Sequence, residues 1–501
     1  MRPLEIVSLS LLGLSLLLFL VPSARRPAWA RWIPGTAAIF LLLQFVFEGH
    51  RTQLDFAYPV CTGLVVASLV GPRVRWHHAI GVVLTLVGGL GLLVAFFFVA
   101  GSPMFELPEP TGPHRVGVTR LYVADREREE TFTLDPNDHR ELMVRVWYPA
   151  EPESGAEPVA YWEDVEQIGP LMARMLRERF GLAVRDSLAD HYADIPTHSY
   201  LDARPIASPG RLPVLVYSHG YGLAGPNSNT ALMEELASRG YWVASIAHTF
   251  QTPGVVFDDG RILGWSPEAV REPTAADAEN WETFFVAHTK AQSPSERDEL
   301  VRAFLAAQTE MNRSMHVWNA DTRTVVDEIE RIASGERPTP FAGRLDLDRL
   351  GVLGMSFGGA TAGTFCVEDP RCKAGLNLDG FHFGEGMAEA VVSVPFMIMS
   401  SQQEGIPFND FFFRHAAGPI HHAMIDGAFH GNFTDTSISS INLRWFGMLG
   451  EIDGHRMLEI LNVYVPEFFD HYLLGEPAPL LEANSLDFPE VELESRNVGS
   501  R

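Results

Sequence analysis

Cysteine is scarce here, with three residues in a chain of 501. Zinc-type metal sites need Cys and His at close, regular spacing, and no such cluster occurs, so neither a metal nor another cofactor is expected. Lysine and arginine are also few, 38 against 63 acidic residues, for a formal net charge of -25. Binding to phosphate backbones needs clustered cations, so this balance argues against nucleic acid as a partner. No internal repeat and no low-complexity tract is visible. Of the three cysteines, Cys61 lies in an apolar run. Cys366 and Cys372 are spaced to pair across a helix end, which only their geometry can decide.

The first hundred residues hold almost no acid but four apolar stretches: Leu4–Val21, Ile33–Phe47, Phe56–Val70 and Ala79–Val99. The first and last approach the ~20 residues that cross a bilayer. The middle two are shorter and carry Pro34, Gln44 and Pro59. Residues 1–102 are therefore expected to be a membrane region with three to four transmembrane helices. A signal peptide over Leu4–Val21, with Ala28-Trp29-Ala30 imitating a cleavage site, is the alternative. Arg25, Arg26 and Arg31 follow the first stretch, and Arg73 and Arg75 follow the third. Positive loops stay cytoplasmic, which puts both the N-terminus and everything after residue 103 on the outer side of the cell membrane. Pro103, Pro108, Pro110 and Pro113 mark a stiff linker over 103–116.

From residue 117 to 484, β-rich runs alternate with helical patterns, which predicts an α/β fold with a mostly parallel sheet. Strands are expected at Val116–Val123, Leu142–Tyr148, Pro213–Ser218, Tyr241–Ala247, Lys373–Leu378, Val394–Ser400 and Ile420–Ile425. Asn227–Arg239 reads as a helix, and Asp259-Gly260 as a hairpin turn. Residues 267–316 break the alternation. Ser293-Pro294-Ser295-Glu296 caps a helix there, with an apolar stripe at Leu300, Val301, Phe304 and Leu305. The segment reads as a helical cap over a substrate site or as a packed surface insertion. Val325, Val326, Ile329 and Ile332 mark a core helix that stops at Gly335. Residues 485–501 read as a polar tail, expected to fray.

Between an apolar run and a small-residue stretch stands Gly354-Met355-Ser356-Phe357-Gly358. A G-x-S-x-G pattern in a strand-turn-helix context is a nucleophile elbow, whose glycines permit strained dihedrals and close helix packing. A serine hydroxyl needs a base to take its proton and an acid to orient that base. On such folds these partners follow in the order serine, acid, histidine. The acid candidates are Asp379 and Glu404. The base candidates are His382, His415, His421, His422 and His430, of which His430 is best placed, in a loop after a strand and between Gly427 and Gly431. The oxyanion of a tetrahedral intermediate needs backbone donors. These are expected from Phe357 and, in the loop His219-Gly220-Tyr221-Gly222, from Tyr221, with His219 shaping that loop.

Taken together, these residues resemble the platelet-activating factor acetylhydrolase family of the lipoprotein-associated phospholipase type and its bacterial relatives. The matching segments are Val214–Ser218 with His219-Gly220, Gly354–Gly359, Leu376-Asn377-Leu378-Asp379-Gly380, and His430-Gly431-Asn432-Phe433. Looser similarity covers roughly 113–475 and leaves out the membrane region. The resemblance implies an α/β-hydrolase fold with a triad of Ser356, His430 and Asp379, not Glu404. It also implies calcium-independent hydrolysis of short or oxidised acyl esters, including the sn-2 ester of phospholipids. The expected protein is thus a membrane-tethered serine esterase acting on a small-molecule or lipid ester. A peptidase, a hydrolase of polyesters or other non-lipid esters, and a non-catalytic membrane sensor are the alternatives.

Overall fold

The computed structural model describes residues 2–498 apart from 22–24, 71–76, 102, 208–209, 271–274, 390 and 402–406. Arg73, Arg75 and Glu404 lie outside the described residues.

Each of the four N-terminal apolar stretches forms a helix: α1 Pro3–Leu20, α2 Ile33–Phe47, α3 Ala57–Val70 and α4 His77–Gly101. They pack around Leu12, Leu16, Ala37, Leu41, Ala57, Leu64 and Ala95. Gly88 and Gly91 let α4 approach closely, since a Cβ there would stand 3.0 Å from Leu16 and 3.1 Å from Val60. By length and composition, Pro3–Leu20 and Ala28–Phe47 can each cross a membrane, whereas Thr85–Phe97 is a shorter apolar stretch. At the end of this bundle Arg51 Nη1 meets both carboxylate oxygens of Glu5, at 3.0 and 2.9 Å, with both side chains buried.

The linker expected over 103–116 is fastened to the domain that follows. Phe105 and Leu107 are buried, Phe105 edge-on against Tyr161, and Thr111 N–H donates to Glu235 at 2.7 Å. Strands β1 Arg115–Glu129 and β2 His139–Glu151 form an antiparallel pair. Helix α5 Val165–Phe180 and the short strands β3 Ser199–Leu201 and β4 Arg204–Pro205 come next. The alternating part runs β5 Leu212–Ser218, α6 Thr230–Ser238 and β6 Trp242–Ala247, with the hairpin β7 Gly254–Val256 and β8 Ile262–Gly264 after it.

Helices α7 Ala275–Lys290 and α8 Pro294–Ala307 make the insertion, and α9 Thr309–Ala333 is the long core helix behind it. Ser293 caps α8 by accepting from Glu296 N–H, and Val301, Phe304 and Leu305 are buried as an apolar stripe at helical spacing requires. Then follow β9 Leu345–Met355, α10 Phe357–Glu368, β10 Ala374–Leu378, β11 Phe396–Ser401, α11 Pro407–His415, β12 Ile420–Ile425, the single turn α12 Thr436–Ser439 and α13 Gly454–Phe469. A disulfide joins Cys366 to Cys372, with Cα atoms 5.0 Å apart, and closes α10 against the start of β10.

With a last strand β13 at Val491–Arg496, the sheet order is β13-β12-β11-β10-β9-β5-β6-β2-β1-β3, with β4 on β2. From β6 through β5, β9, β10 and β11 to β12 all neighbours are parallel. The edge strand β13 Val491–Arg496 lies in the segment read as a frayed polar tail and pairs antiparallel with β12. Its alternation is too short and too polar to stand out in sequence, and the open edge of β12 supplies the partner that orders it.

Candidate functional site

The parallel strands end on one side of the sheet, where ligands of open α/β folds bind. Ser356 sits there between β9 and α10, with φ 57° and ψ -120°. The turn is tight because the glycines around it have no room for a side chain. A Cβ on Gly358 would stand 2.0 Å from the Ser218 carbonyl oxygen, and one on Gly380 would stand 2.0 Å from that of Ser356. Ser356 N–H donates to Leu378 O at 2.8 Å, which ties the elbow to the end of β10.

Asp379 follows β10 directly and is 4% exposed. Its Oδ1 accepts from Ser401 N–H at 2.7 Å, and its Oδ2 faces His430 Nδ1 at 2.7 Å. His430 Nε2 lies 3.0 Å from Ser356 Oγ. A carboxylate only accepts, so the imidazole proton sits on Nδ1 and Nε2 is left to accept from the serine hydroxyl. Two asparagines hold the flanking turns. Asn377 accepts from Gly380 N–H at 2.7 Å and donates to Gly380 O at 3.0 Å. Buried Asn432 accepts from Phe429 N–H at 2.9 Å and Gly450 N–H at 2.7 Å, closing the loop that carries His430. Neither asparagine was singled out for this work in the sequence; both stand inside the matching segments, which is the signal that was there to follow.

The remaining histidines are engaged elsewhere. His382 is buried, stacked on Phe412 at 3.8 Å, and burial pushes it down to about 3. His421 is held between Ser495 and Tyr472, His422 meets Ser400 at 2.7 Å, and His415 lies 3.2 Å from Asp298.

Beside Ser356 the loop after β5 passes closely: a Cβ on Gly220 would stand 3.6 Å from that of Ser356. Tyr221 N–H has no acceptor among the described residues. Phe357 is the first residue of α10, where a helix leaves its N–H without an internal partner. Two cavities meet at Ser356 and His430. The larger, about 560 Å³, is mostly apolar, with Ile168, Met172, Leu223 and Met448 on its walls and Arg120, Arg145 and Asp164 in its lining. The smaller, about 220 Å³, is bounded by Met311, Phe357, Phe381 and Phe383. Behind it the insertion contributes Trp281, Phe284 and Phe304, packed on Phe383 and Phe408.

A mostly parallel sheet with a serine on a strained strand-to-helix turn at its carboxyl edge is the architecture of an α/β-hydrolase. Comparison narrows that class. A solved structure of a ferulic acid esterase from Streptomyces cinnamoneus is 27% identical, with a TM-score of 0.57, over 78% of this chain and 99% of that one. A probable 1-alkyl-2-acetylglycerophosphocholine esterase of Arthroderma benhamiae is 25% identical, over 80% of this chain and 96% of the relative. The platelet-activating factor acetylhydrolase of Gallus gallus is 22% identical, over 72% and 81%. The profile of the family described as platelet-activating factor acetylhydrolase, isoform II, matches residues 99–475. The chain belongs to that family and is a carboxylic ester hydrolase.

Proposed function

We propose that this protein is a membrane-tethered serine esterase that cleaves short-acyl or phospholipid sn-2 esters through Ser356, His430 and Asp379. The observation that carries the reading is the continuous hydrogen-bonded line from Ser356 Oγ through His430 to buried Asp379 at the meeting of two cavities. His430 Nε2 takes the hydroxyl proton as Ser356 attacks the ester carbonyl. Asp379 holds the ring in the required tautomer and stabilises the imidazolium that forms. Tyr221 and Phe357 N–H groups receive the oxyanion. His430 then protonates the leaving alcohol, and water, activated by the same nitrogen, releases the acid. A large apolar cavity suits a lipid-like substrate, and the names of the fungal and avian relatives support the ester class.

Residues 1–102 serve as the membrane region, 103–116 as the link, 117–484 as the catalytic domain and 267–316 as its cap. The outward faces of the first helices support insertion in lipid, since Leu17, Leu42 and Phe47 are largely exposed. Arginines after α1 favour a cytoplasmic loop there and a catalytic domain outside. A reporter fused at residue 103 that is active only on the cytoplasmic side would reverse this orientation. A non-lipid ester is the second reading. It is favoured by the aromatic walls of the smaller cavity and by the ferulic acid esterase neighbour.

Full-length protein assayed on nitrophenyl esters from acetate to palmitate, beside Ser356→Ala, tests the proposal. Turnover that disappears in the variant is expected. Turnover that survives it would remove Ser356 from the mechanism.

A further inference from the structure

A second buried relay lies one strand from Ser356, and the reaction described above does not use it. Ser218 ends β5, His248 follows β6 and Asp321 sits on α9, all buried and none lining either cavity at Ser356. His248 Nδ1 stands 2.9 Å from Asp321 Oδ2, and its Nε2 stands 3.1 Å from Ser218 Oγ. Asp321 also accepts from Arg140 Nε at 3.0 Å and Nη2 at 2.7 Å, and from Arg128. Burial opposes the Asp321 charge, but the Arg140 guanidinium outweighs it and holds the carboxyl well below the usual carboxylate range. An ionised Asp321 can only accept, so His248 carries its proton on Nδ1 and accepts the Ser218 hydroxyl at Nε2.

The relay leads into the loop beside the nucleophile. His248 N–H faces His219 Nε2 at 3.4 Å, and His219 Nδ1 stands 2.7 Å from Gly220 O. A backbone N–H only donates and a carbonyl only accepts, so His219 has its proton on Nδ1. Burial pushes His219 down to about 3, which keeps it neutral as this arrangement requires. The Gly220 carbonyl and the Tyr221 N–H belong to one planar trans peptide and point in opposite directions. Drawing that carbonyl toward buried His219 therefore turns the Tyr221 N–H away from it, and Tyr221 lines both cavities shared with Ser356. The far side of the loop is tied to the same cluster. Gly222 N–H donates to Gln251 O at 3.1 Å, and Gln251 Oε1 accepts from Trp318 Nε1 at 2.8 Å. Trp318 in turn stacks on His248 at 3.8 Å.

We propose that His219 and His248, held by Asp321 and Arg140, are positioning residues that set the Gly220–Tyr221 peptide so that its N–H meets the developing oxyanion. This rests on reading Tyr221 as an oxyanion donor. Removing one such donor outright costs roughly 10²–10³ in kcat, so misdirecting it is expected to cost about 10- to 100-fold.

The test uses full-length His219→Leu, His219→Asn and His248→Phe, hydrolysis of nitrophenyl butyrate, and inhibition by a trifluoromethyl ketone, which forms a tetrahedral adduct with an active serine. Asparagine places an N–H where His219 Nδ1 stands, and phenylalanine keeps the stack on Trp318. Expected are a fall in kcat for His219→Leu and His248→Phe with KM within about twofold, and ketone binding weakened by the same factor. His219→Asn is expected to recover most of the loss, which a role in folding alone would not produce. Full kcat in folded His219→Leu, or equal losses in His219→Leu and His219→Asn, would overturn the proposal. If His248→Phe does not fold, the two His219 variants decide alone. Activity retained in Ser356→Ala would instead sink the underlying mechanism, so the two failures are separable.

Discussion

Ser356 holds a positive φ of 57°, as does Asp379 at 52°. For residues with a side chain this region costs about 1–3 kcal/mol, so the surrounding contacts must hold both in place. In the proposed mechanism Asp379 carries no proton but holds His430 in one tautomer; Asp379→Asn is expected to lower kcat by about 10⁴-fold with little change in KM. Asp435, fully buried just after the His430 loop, behaves differently. Its Oδ2 accepts from Tyr161 OH at 3.2 Å and Ala231 N–H at 3.4 Å, while its Oδ1 has no partner among the described residues. Burial pushes its carboxyl up to about 8, from an ordinary 3.8. The folded value lies above the unfolded one, so the stability linked to this group is complete below pH 3.8 and is lost as pH rises through about 8. Asp435→Asn should therefore raise Tm relative to the parent at pH 9, with the difference shrinking as pH falls toward 5. A constant difference across that range would place the titrating group elsewhere.

At the scale of elements, the elbow and the loop after β5 are held together backbone to backbone. Gly358→Ala would drive a Cβ to 2.0 Å from Ser218 O and 2.6 Å from His219 O. Loss of folded protein is expected from this substitution, and a folded, active Gly358→Ala would contradict the packing described here. The pattern that marks this elbow was plain in the sequence, as were β5, β10 and β12, because apolar runs closed by glycine or polar turns have few other readings. The insertion was legible as helical from Ser293 and its apolar stripe, but not in what it packs on. Phe284 and Phe304 meet Phe408, more than a hundred residues downstream, a contact no local periodicity records. Phe304→Ala is expected to destabilise by about 3–5 kcal/mol in chemical denaturation.

Over the whole molecule, the helical bundle and the α/β part touch at named points. Arg2 pairs with Asp194 at 2.7 Å, Thr52 donates to Ser187 Oγ at 2.6 Å, and Phe97 lies against Trp445 with ring centres 5.0 Å apart. The bundle's own closure depends on the buried pair of Glu5 and Arg51. Removing one partner of such a pair leaves an uncompensated buried charge and costs about 3–5 kcal/mol, whereas replacing both is far milder. In detergent, Glu5→Leu is therefore expected to lower Tm more than Glu5→Leu combined with Arg51→Met; the reverse order would count against a paired, buried geometry.

The amino-acid sequence by itself determined the class of chemistry, the elbow around Ser356, the chain order of serine, acid and histidine candidates and the division into an apolar front and an α/β remainder. These are local properties, since strand-turn-helix punctuation and apolar run length are written within short windows. Tertiary structure alone decided the rest. It brought His430 to 3.0 Å from a serine 74 positions away, paired Cys366 with Cys372, and ordered Val491–Arg496 on the open edge of β12. It also buried Arg140, Asp321, His248 and His219 near the loop after β5. Each of those outcomes depends on contacts between segments distant in the chain, whose charges and hydrogen-bonding groups acquire a role only once burial has removed water as a partner.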